Sequence, residues 1–274
     1  MGCRMYAKVI IDNISKSELQ REWGLSVYIE QEGKKILLDT GAGGKFAKNA
    51  AALGIALEDI DYAVLSHAHY DHANGMEQFF EKNAKASFYL RKGAAENCYA
   101  KKWVFHKYIG VKKGLLGKYR SRIVYADGTY ELFPGVYLLA HSMPGLGELG
   151  KKAGMYVRCG CRLQPDDFSH EQSLVLDTPK GLVIFNSCSH GGADNIIAET
   201  AAAFPQKHIY ALIGGFHLFA SPQEAVRALA ERIRSTGIER VITGHCTGKR
   251  AYAILHEELG EAVEQMYAGM EILV

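Results

Sequence analysis

Residues 67–72 read His-Ala-His-Tyr-Asp-His, and this H-x-H-x-D-H stretch decides how the rest of the chain is interpreted. Three imidazoles and one carboxylate so close together can supply most of the ligands of two adjacent transition-metal ions. Residues 62–66 before the stretch have the pattern of a short buried strand. Such a strand delivers side chains to the carboxyl edge of a sheet, where ligands usually bind. The alternative is a helix start in which Asp71 is the N-cap and the imidazoles are solvated. The pattern favours a metal site.

The bulk composition indicates an ordinary globular protein. The chain has 274 residues, 48% of them hydrophobic and 23% charged, which is enough to bury a substantial core. The net charge of +2 gives the whole molecule no strong attraction to nucleic acid or to membranes. No apolar run approaches the roughly 20 residues of a membrane span, and the polar start lacks a signal-peptide core. We therefore expect a cytoplasmic location, a small-molecule substrate, no nucleic-acid or membrane partner, and six reduced cysteines.

Hydrophobic periodicity and turn signals predict a layered α/β sandwich. The first half begins with strands and then alternates strands with helices, and the second half alternates them regularly. Strands are predicted over residues 5–11, 25–30, 35–41, 62–66, 87–90, 173–177, 182–186, 209–213 and 240–243. Helices are predicted over residues 44–53, 71–83, 194–203, 222–236 and 249–259. The helix over 222–236 is expected to have Ser221 as its N-cap and Pro222 at its first position.

Residues 91–170 break this rhythm. Between Lys101 and Arg122 there are eight Lys or Arg residues and no Asp or Glu, with Trp103 and Tyr108 among the interleaved aromatics. The segment is either a solvated loop with a hydrophobic anchor or a lid that attracts an anionic substrate. Its aromatic residues would equally suit the interface of a homodimer. Because no linker or repeat is visible, we predict a single domain over residues 1–274 with an insertion at about 91–170.

Histidines or carboxylates follow four separate predicted strands. Asp39 closes the third strand, residues 67–72 follow the fourth, residues 188–190 follow the strand over 182–186, and residues 244–248 follow the strand over 240–243. If these strands lie side by side, all four groups converge on one rim of the fold.

This order of motifs resembles the metallo-β-lactamase superfamily, which has an Asp after an early strand, then H-x-H-x-D-H, a further His and a late Gly-His. Four strings resemble one subgroup, the dihydropterin ribofuranosyl-aminobenzene phosphate synthase-like proteins: Leu-Leu-Asp-Thr-Gly at 37–41, Cys-Ser-His at 188–190, Gly-Gly-Phe-His-Leu at 214–218 and Gly-His-Cys-Thr-Gly at 244–248. The resemblance implies a four-layer αββα sandwich and a metal-dependent hydrolase.

The resemblance also implies the metal ligands. His67, His69 and His190 would bind the first metal, and Asp71, His72 and His245 would bind the second. One or two zinc ions are expected, and iron or manganese would also suit these ligands.

Two histidines are candidates for the third ligand of the first metal. Many superfamily members carry it in a Pro-Gly-His-Thr string, but here Pro144-Gly145 is followed by Leu146, so His170 remains an alternative to His190. The tight Ser-His-Gly-Gly turn just beyond a strand end favours His190. His141 is interpreted as an ordinary loop histidine.

Three further residues have implied or proposed roles. The superfamily usually places a bridging Asp where this chain has Cys188, so a thiolate bridge, a small buried thiol, and a mononuclear or unequal pair all remain open. Asp39 would accept the ring N–H of a ligating histidine and fix its orientation. His217, after Gly214-Gly215, would bind substrate or donate a proton, or else be structural.

The resulting hypothesis is a hydrolase that uses a metal-activated water on a small, anionic, phosphorylated substrate. Asp71 would also orient the nucleophile or pass its proton onward, and His217 would protonate the leaving group. The alternatives are the pterin-related phosphate synthase activity of the subgroup label, a di-iron redox protein, and a metal- or ligand-binding protein without turnover.

Overall fold

The computed structural model describes residues 5–274 and contains two large sheets and one small sheet. The first sheet has, in spatial order, the strands β18 (Glu271–Leu273), β1 (Tyr6–Ile11), β2 (Ser26–Gln31), β3 (Lys34–Leu38), β4 (Tyr62–Val64), β5 (Phe88–Arg91) and β8 (Ile123–Ala126). The second has β17 (Val263–Gln265), β16 (Arg240–Thr243), β15 (Ile209–Gly214), β14 (Gly181–Phe185), β13 (Gln172–Thr178), β10 (Val136–Ala140) and β9 (Tyr130–Phe133). The small sheet has β12 (Arg162–Pro165), β11 (Met155–Cys159), β6 (Cys98–Lys102) and β7 (Phe105–Tyr108).

The two large sheets pack face to face and are covered by helices on their outer faces. The helices are α1 (Lys45–Ala52), α2 (Tyr70–Ala73), α3 (Met76–Lys82), α4 (Leu115–Lys118), α5 (Leu146–Ala153), α6 (Ala193–Ala203), α7 (Gln223–Ser235) and α8 (Lys249–Leu259). Val27 and Ile29 of β2 join Leu174 and Phe185 of the second sheet in the central core. α1 and α3 pack on the outer face of the first sheet, and α6, α7 and α8 pack on that of the second. The expected four-layer αββα sandwich is confirmed.

Strand direction brings the functional loops to one rim. β1, β2 and β3 pair antiparallel, and the sheet then continues parallel from β3 through β4 and β5. In the second sheet β14, β15 and β16 are parallel. The carboxyl ends of parallel strands meet at the same edge, so the loops after β3 and β4 lie together, as do those after β14, β15 and β16.

Two helix predictions were wrong in detail. The helix over 71–83 is divided into α2 and α3 at residues 74–75, where the Thr40 N–H and hydroxyl donate to the His72 carbonyl oxygen at 2.8 and 2.9 Å. The backbones pass so close here that a Cβ atom on Gly75 would lie 2.2 Å from the Thr40 carbonyl oxygen. Ser221 is not the N-cap of α7: Pro222, in an extended conformation, takes that position without a side-chain capping bond.

The segment over 91–170 contributes to all three sheets. β8 extends the first sheet and β9 and β10 extend the second, whereas the small sheet consists only of strands from this segment. In the described part of the chain, no helix is long and apolar enough to cross a membrane. The five cysteines described are free thiols, and Cys3 lies outside the described residues.

Candidate metal centre

Three imidazoles converge on one buried point beyond β4 and β14. The donor atoms of His67, His69 and His190 lie within 4.8 Å of one another, and we call these residues the first donor group. The Nε2 atom of each is buried and has no hydrogen-bond partner among residues 5–274. An unpartnered buried nitrogen is costly in a folded protein unless something absent from the polypeptide satisfies it.

The first donor group is neutral, as metal ligands must be. Burial, reinforced by neighbouring imidazoles, holds the pKa of His67 and of His190 well below the usual range. Burial is also the main reason why the pKa of His69 falls to about 3. At neutral pH, each Nε2 can therefore offer a lone pair to a cation.

Asp71, His72 and His245 form the second donor group. His72 Nε2 lies 3.2 Å from His245 Nε2, and Asp71 Oδ2 lies 3.7 Å and 3.5 Å from these two nitrogens. Ligands about 2.0–2.1 Å from a tetrahedral zinc ion are about 3.3–3.4 Å apart, so these separations fit a single ion. Burial opposes ionisation of Asp71, but the His72 and His245 imidazoles outweigh it and hold the pKa of this carboxyl below its usual value.

Cys188 lies between the two donor groups. Its Sγ atom is 3.3 Å from His72 Nε2 and 3.4 Å from the Sγ atom of Cys246. The Cys188 Sγ atom also lies within 4.8 Å of ligand atoms of His67 and His72. In a second group, it lies within 4.8 Å of ligand atoms of His190 and His217. Burial raises the pKa of the Cys188 thiol well above its usual range, so a nearby cation would be needed to hold it as a thiolate.

One carboxylate orients histidines of both donor groups. Asp39 Oδ2 accepts a 2.7 Å hydrogen bond from His72 Nδ1, and it also accepts the Ser66 hydroxyl proton at 2.7 Å. The Ser66 oxygen lies 2.9 Å from His67 Nδ1. With both Nδ1 atoms bonded in this way, the Nε2 atoms of His67 and His72 face the metal centre. Sequence reasoning identified Asp39 as an orienting residue but missed Ser66.

His170 occupies a different position from the one considered for it. Its Nδ1 accepts a hydrogen bond from the Ala68 amide at 3.2 Å, and its Nε2 lies 3.0 Å from Asp166 Oδ2. Both ring nitrogens therefore have protein partners, whereas His190 Nε2 has none. His170 holds the backbone between two residues of the first donor group, and together with Asp166, Cys98 and His69 it forms a separate buried cluster.

His141 is part of a buried clamp and is not an ordinary loop histidine. Its Nδ1 lies 2.8 Å from Glu199 Oε2, and its Nε2 lies 2.5 Å from Glu171 Oε2. Glu171 in turn accepts the backbone N–H groups of His190 and Gly191. The clamp thus fixes the turn that carries His190. No local sequence pattern announces it, because its members come from distant parts of the chain.

His245 is fixed by the residues that follow β1, another contribution that sequence reasoning missed. Asn13 Oδ1 lies 3.1 Å from His245 Nδ1, and the Asn13 side-chain amide donates to the His245 carbonyl oxygen. Asp12 Oδ2 accepts the His245 backbone N–H at 3.0 Å. The available sequence signal for this contribution was the polar pair Asp12-Asn13 at the end of the buried strand β1.

His217 faces a cavity of about 380 Å³ next to the first donor group. Its buried Nδ1 has no hydrogen-bond partner, and its ring centroid is 4.5 Å from that of His190. Phe168, which stacks on His190, and the half-exposed Phe219 line the same cavity, and Lys152 adds a positive charge. Like Asp39 and His245, His217 has positive φ without being glycine, a strained conformation that clusters at functional sites.

The fold and the two donor groups define a protein that holds metal at the rim of an αββα sandwich. Residues 24–147 match the family model described as the Metallo-beta-lactamase superfamily. The chain is thus similar to this superfamily over 124 of its 274 residues, and its fold and donor clusters imply divalent-metal binding.

Two full-length relatives share 29% of their residues with this chain. One is a Methanocaldococcus jannaschii protein described as 7,8-dihydropterin-6-methyl-4-(beta-D-ribofuranosyl)-aminobenzene-5'-phosphate synthase, matched over 90% of this chain and 88% of its own length. The other is Tm1679, described as a metal-dependent hydrolase of the β-lactamase superfamily, whose crystal structure superposes with a TM-score of 0.85 over 98% of this chain and 99% of its own. Zn(2+)-bound PqqB from Methylobacterium extorquens, 11% identical, has a TM-score of 0.59 over 97% and 99% of the two chains and shows the fold alone.

Proposed function

We propose that this protein is a metal-dependent hydrolase of a small anionic substrate. The observation that carries the proposal is the set of three buried, unpartnered Nε2 atoms beside a second group whose donor separations fit one ion. The resemblance to Tm1679 supports it, since that protein is described as a metal-dependent hydrolase. Zinc is the expected metal, in one or two copies, because imidazole and thiolate ligands in tetrahedral arrangements suit it.

The ligand assignment follows from the donor groups. The first metal takes His67, His69 and His190, and His190 is preferred to His170 because His170 has both nitrogens bonded to protein. The second metal takes Asp71, His72 and His245. Cys188, whose Sγ atom lies near donor atoms of both groups, would be available as a further ligand. The cytoplasmic location and the single-domain organisation remain predictions.

The residues of the chain divide the chemistry between them. When bound, the ions would polarise the substrate oxygen and make water nucleophilic at neutral pH. The lowered pKa of the Asp71 carboxyl keeps it ionised, so it would orient the attacking water as a hydrogen-bond acceptor. His217 lines the cavity beside the first donor group and would donate a proton to the leaving group. Asp39 and Ser66 keep the ligand imidazoles in the required orientation.

The cavity beside His217 supports a substrate with a planar ring and a negative charge. Its wall combines the aromatic rings of Phe168 and Phe219 with the ammonium group of Lys152, and its volume of about 380 Å³ suits a small molecule. A phosphorylated pterin would meet both requirements, which agrees with the name of the Methanocaldococcus jannaschii relative.

That relative also favours a second candidate, a phosphate synthase acting on a pterin-related substrate. The observation in its favour is a match over nearly the whole of both chains. Both candidates use the same metal centre and the same cavity, so substrate turnover distinguishes them.

Metal analysis and turnover test the proposal together. The purified protein should contain zinc, and His67→Ala and Asp71→Ala should lose metal and activity in parallel. His208→Ala is the matched control, because His208 is exposed and pairs only with Glu239 at the surface. Phosphodiesters, lactones, thioesters and phosphorylated pterins form the substrate panel. Unchanged metal content in both variants would contradict the ligand assignment, and stoichiometric iron without hydrolysis would favour the di-iron redox alternative.

A further inference from the structure

The hairpin formed by β6 and β7 ends in three consecutive large apolar side chains. Trp103, Val104 and Phe105, which we call the hairpin tip, are 93%, 81% and 74% exposed. Burying such side chains in an apolar environment is strongly favourable, and contiguous exposed apolar patches mark interaction sites. The fold itself gives the hairpin tip nothing to pack against.

Trp103 also has an unfavourable backbone conformation. It lies in the two-residue turn of the hairpin with φ of +59°, where glycine, asparagine or aspartate are the usual residues. A bulky aromatic residue at positive φ is a genuine outlier. Such strain persists where a function requires that side chain. The chain therefore places an indole at the apex of the hairpin although this position strains the backbone of the turn.

Lysines surround the hairpin tip. Lys101, Lys102 and Lys107, the lysine collar, form no ion pair with any residue in the described range 5–274. Residues 97–126 contain no Asp or Glu at all. The collar is thus an uncompensated positive patch beside an apolar tip, although the net charge of the chain is only +2.

We propose that this hairpin docks the protein on a bilayer surface that contains anionic phospholipids. Tryptophan favours the level of the lipid headgroups, where its ring is half in water and half in hydrocarbon. Lysines next to inserted apolar side chains bind the negative surface of such a bilayer. A tip-to-tip contact with a second copy would bring two lysine collars together and is disfavoured by repulsion between like charges.

Docking would also orient the metal centre. The Lys101 amide donates a 2.7 Å hydrogen bond to the carbonyl oxygen of Gly154, the residue that ends α5. Leu149 and Lys152 of α5 line the cavity beside His190. The hairpin is therefore linked through α5 to one wall of that cavity. This proposal departs from the expectation of no membrane partner, which was based on the net charge and on the lack of a membrane-spanning apolar run, and it does not depend on the hydrolase proposal.

Sedimentation with lipid vesicles tests the docking. The purified full-length protein is expected to bind vesicles of phosphatidylcholine mixed with phosphatidylserine, and to bind pure phosphatidylcholine vesicles much more weakly. High salt should release it, because the lysine contribution is electrostatic. The chain has two tryptophans, so the Trp23→Phe variant leaves Trp103 as the sole indole. Its fluorescence should shift to shorter wavelength on binding. Failure of the wild-type protein to bind the mixed vesicles would overturn the proposal.

Two variants separate docking from folding. Trp103→Gly suits the positive φ, so its thermal midpoint should equal or exceed that of the wild type while vesicle binding falls by at least about tenfold. Replacing each collar lysine with glutamate should weaken binding by at least about fivefold per residue. Tyr125→Ala is the control, because Tyr125 is a half-exposed aromatic residue outside the hairpin, and this variant should bind normally. Full binding by Trp103→Gly would overturn the proposal, as would a tip-dependent dimer that does not bind vesicles.

Discussion

At the scale of single residues, the metal centre depends on side chains that never touch the metal. Asp39 holds His72 directly and holds His67 through the hydroxyl of Ser66, so one carboxylate fixes a ligand in each donor group. A ligand histidine loses affinity for its metal when its other nitrogen is left without a partner. The Asp39–Ser66 pair is therefore as much a part of the centre as the histidines themselves.

Replacing Asp39 with asparagine should weaken metal binding by about 10–100-fold. The asparagine side chain can place its NH2 group opposite His72 Nδ1, where this group cannot accept a hydrogen bond. The imidazole then loses its orientation. Competition against a coloured chelator measures the affinity. Asp61→Asn is the control, since Asp61 forms a partly exposed ion pair with Lys85 and precedes β4, whereas the histidines follow it. Equal affinities for the two variants would show that Asp39 does not orient the ligands.

The sequence predicted the histidines better than it predicted their supports. His67, His69 and His72 belong to one short spaced motif, so a local pattern reveals them. Ser66 and Glu171 act through hydrogen bonds that exist only after distant strands have paired, and the sequence gives no local signal for such bonds. The roles assigned to individual ligands remain predictions until metal is bound and measured.

At the scale of elements, a buried imidazole ties three of them together. His141 follows β10, Glu171 precedes β13 and Glu199 lies in α6. Burial alone would lower the pKa of His141, but hydrogen bonds to Glu171 and Glu199 outweigh it and raise the pKa to about 10. The pKa of each glutamate is below its usual value, since the hydrogen bond to His141 outweighs its burial. The clamp is thus a cation between two carboxylates.

His141→Gln should destabilise the protein in a pH-dependent way. The pKa of His141 is higher in the folded state than its ordinary value of 6.5, so its contribution is full below pH 6.5 and is lost as the pH rises through about 10. The two glutamates act in the opposite direction, since their contribution to the free energy of unfolding is lost as the pH falls below about 4.5. The difference in unfolding free energy from the wild type should therefore be largest at about pH 5–6, at about 3–5 kcal/mol. Thermal midpoints measured from acid to alkaline pH check this, and a constant difference would exclude the charged clamp.

Element prediction succeeded where the hydrophobic pattern was sufficient and failed where close packing decided. β16 and α8 were predicted with their observed bounds, because their burial follows directly from residue type. The break between α2 and α3 depends on Gly75 passing against Thr40, a contact between segments that periodicity does not encode.

At the scale of the whole molecule, the metal should contribute to stability. His67, His69 and His190 have three buried Nε2 atoms without hydrogen-bond partners in the described part of the chain, so each remains unsatisfied when no ion is bound. Removing metal with a chelator should lower the thermal midpoint, and adding zinc back should restore it in a concentration-dependent way. Differential scanning calorimetry of both forms measures the shift. The His67→Ala variant should show a smaller shift than the wild type, and identical shifts would mean that the ion binds elsewhere.

The distribution of ligands between the two sheets has a mechanical consequence. His67, His69, Asp71 and His72 follow a strand of the first sheet, whereas His190 and His245 follow strands of the second. Ions coordinated by both sets of ligands would cross-link the two sheets of the sandwich. Removing the ions should first weaken the contact between the two sheets. Amide hydrogen exchange should therefore become faster along the rim that carries the ligands before either sheet unfolds.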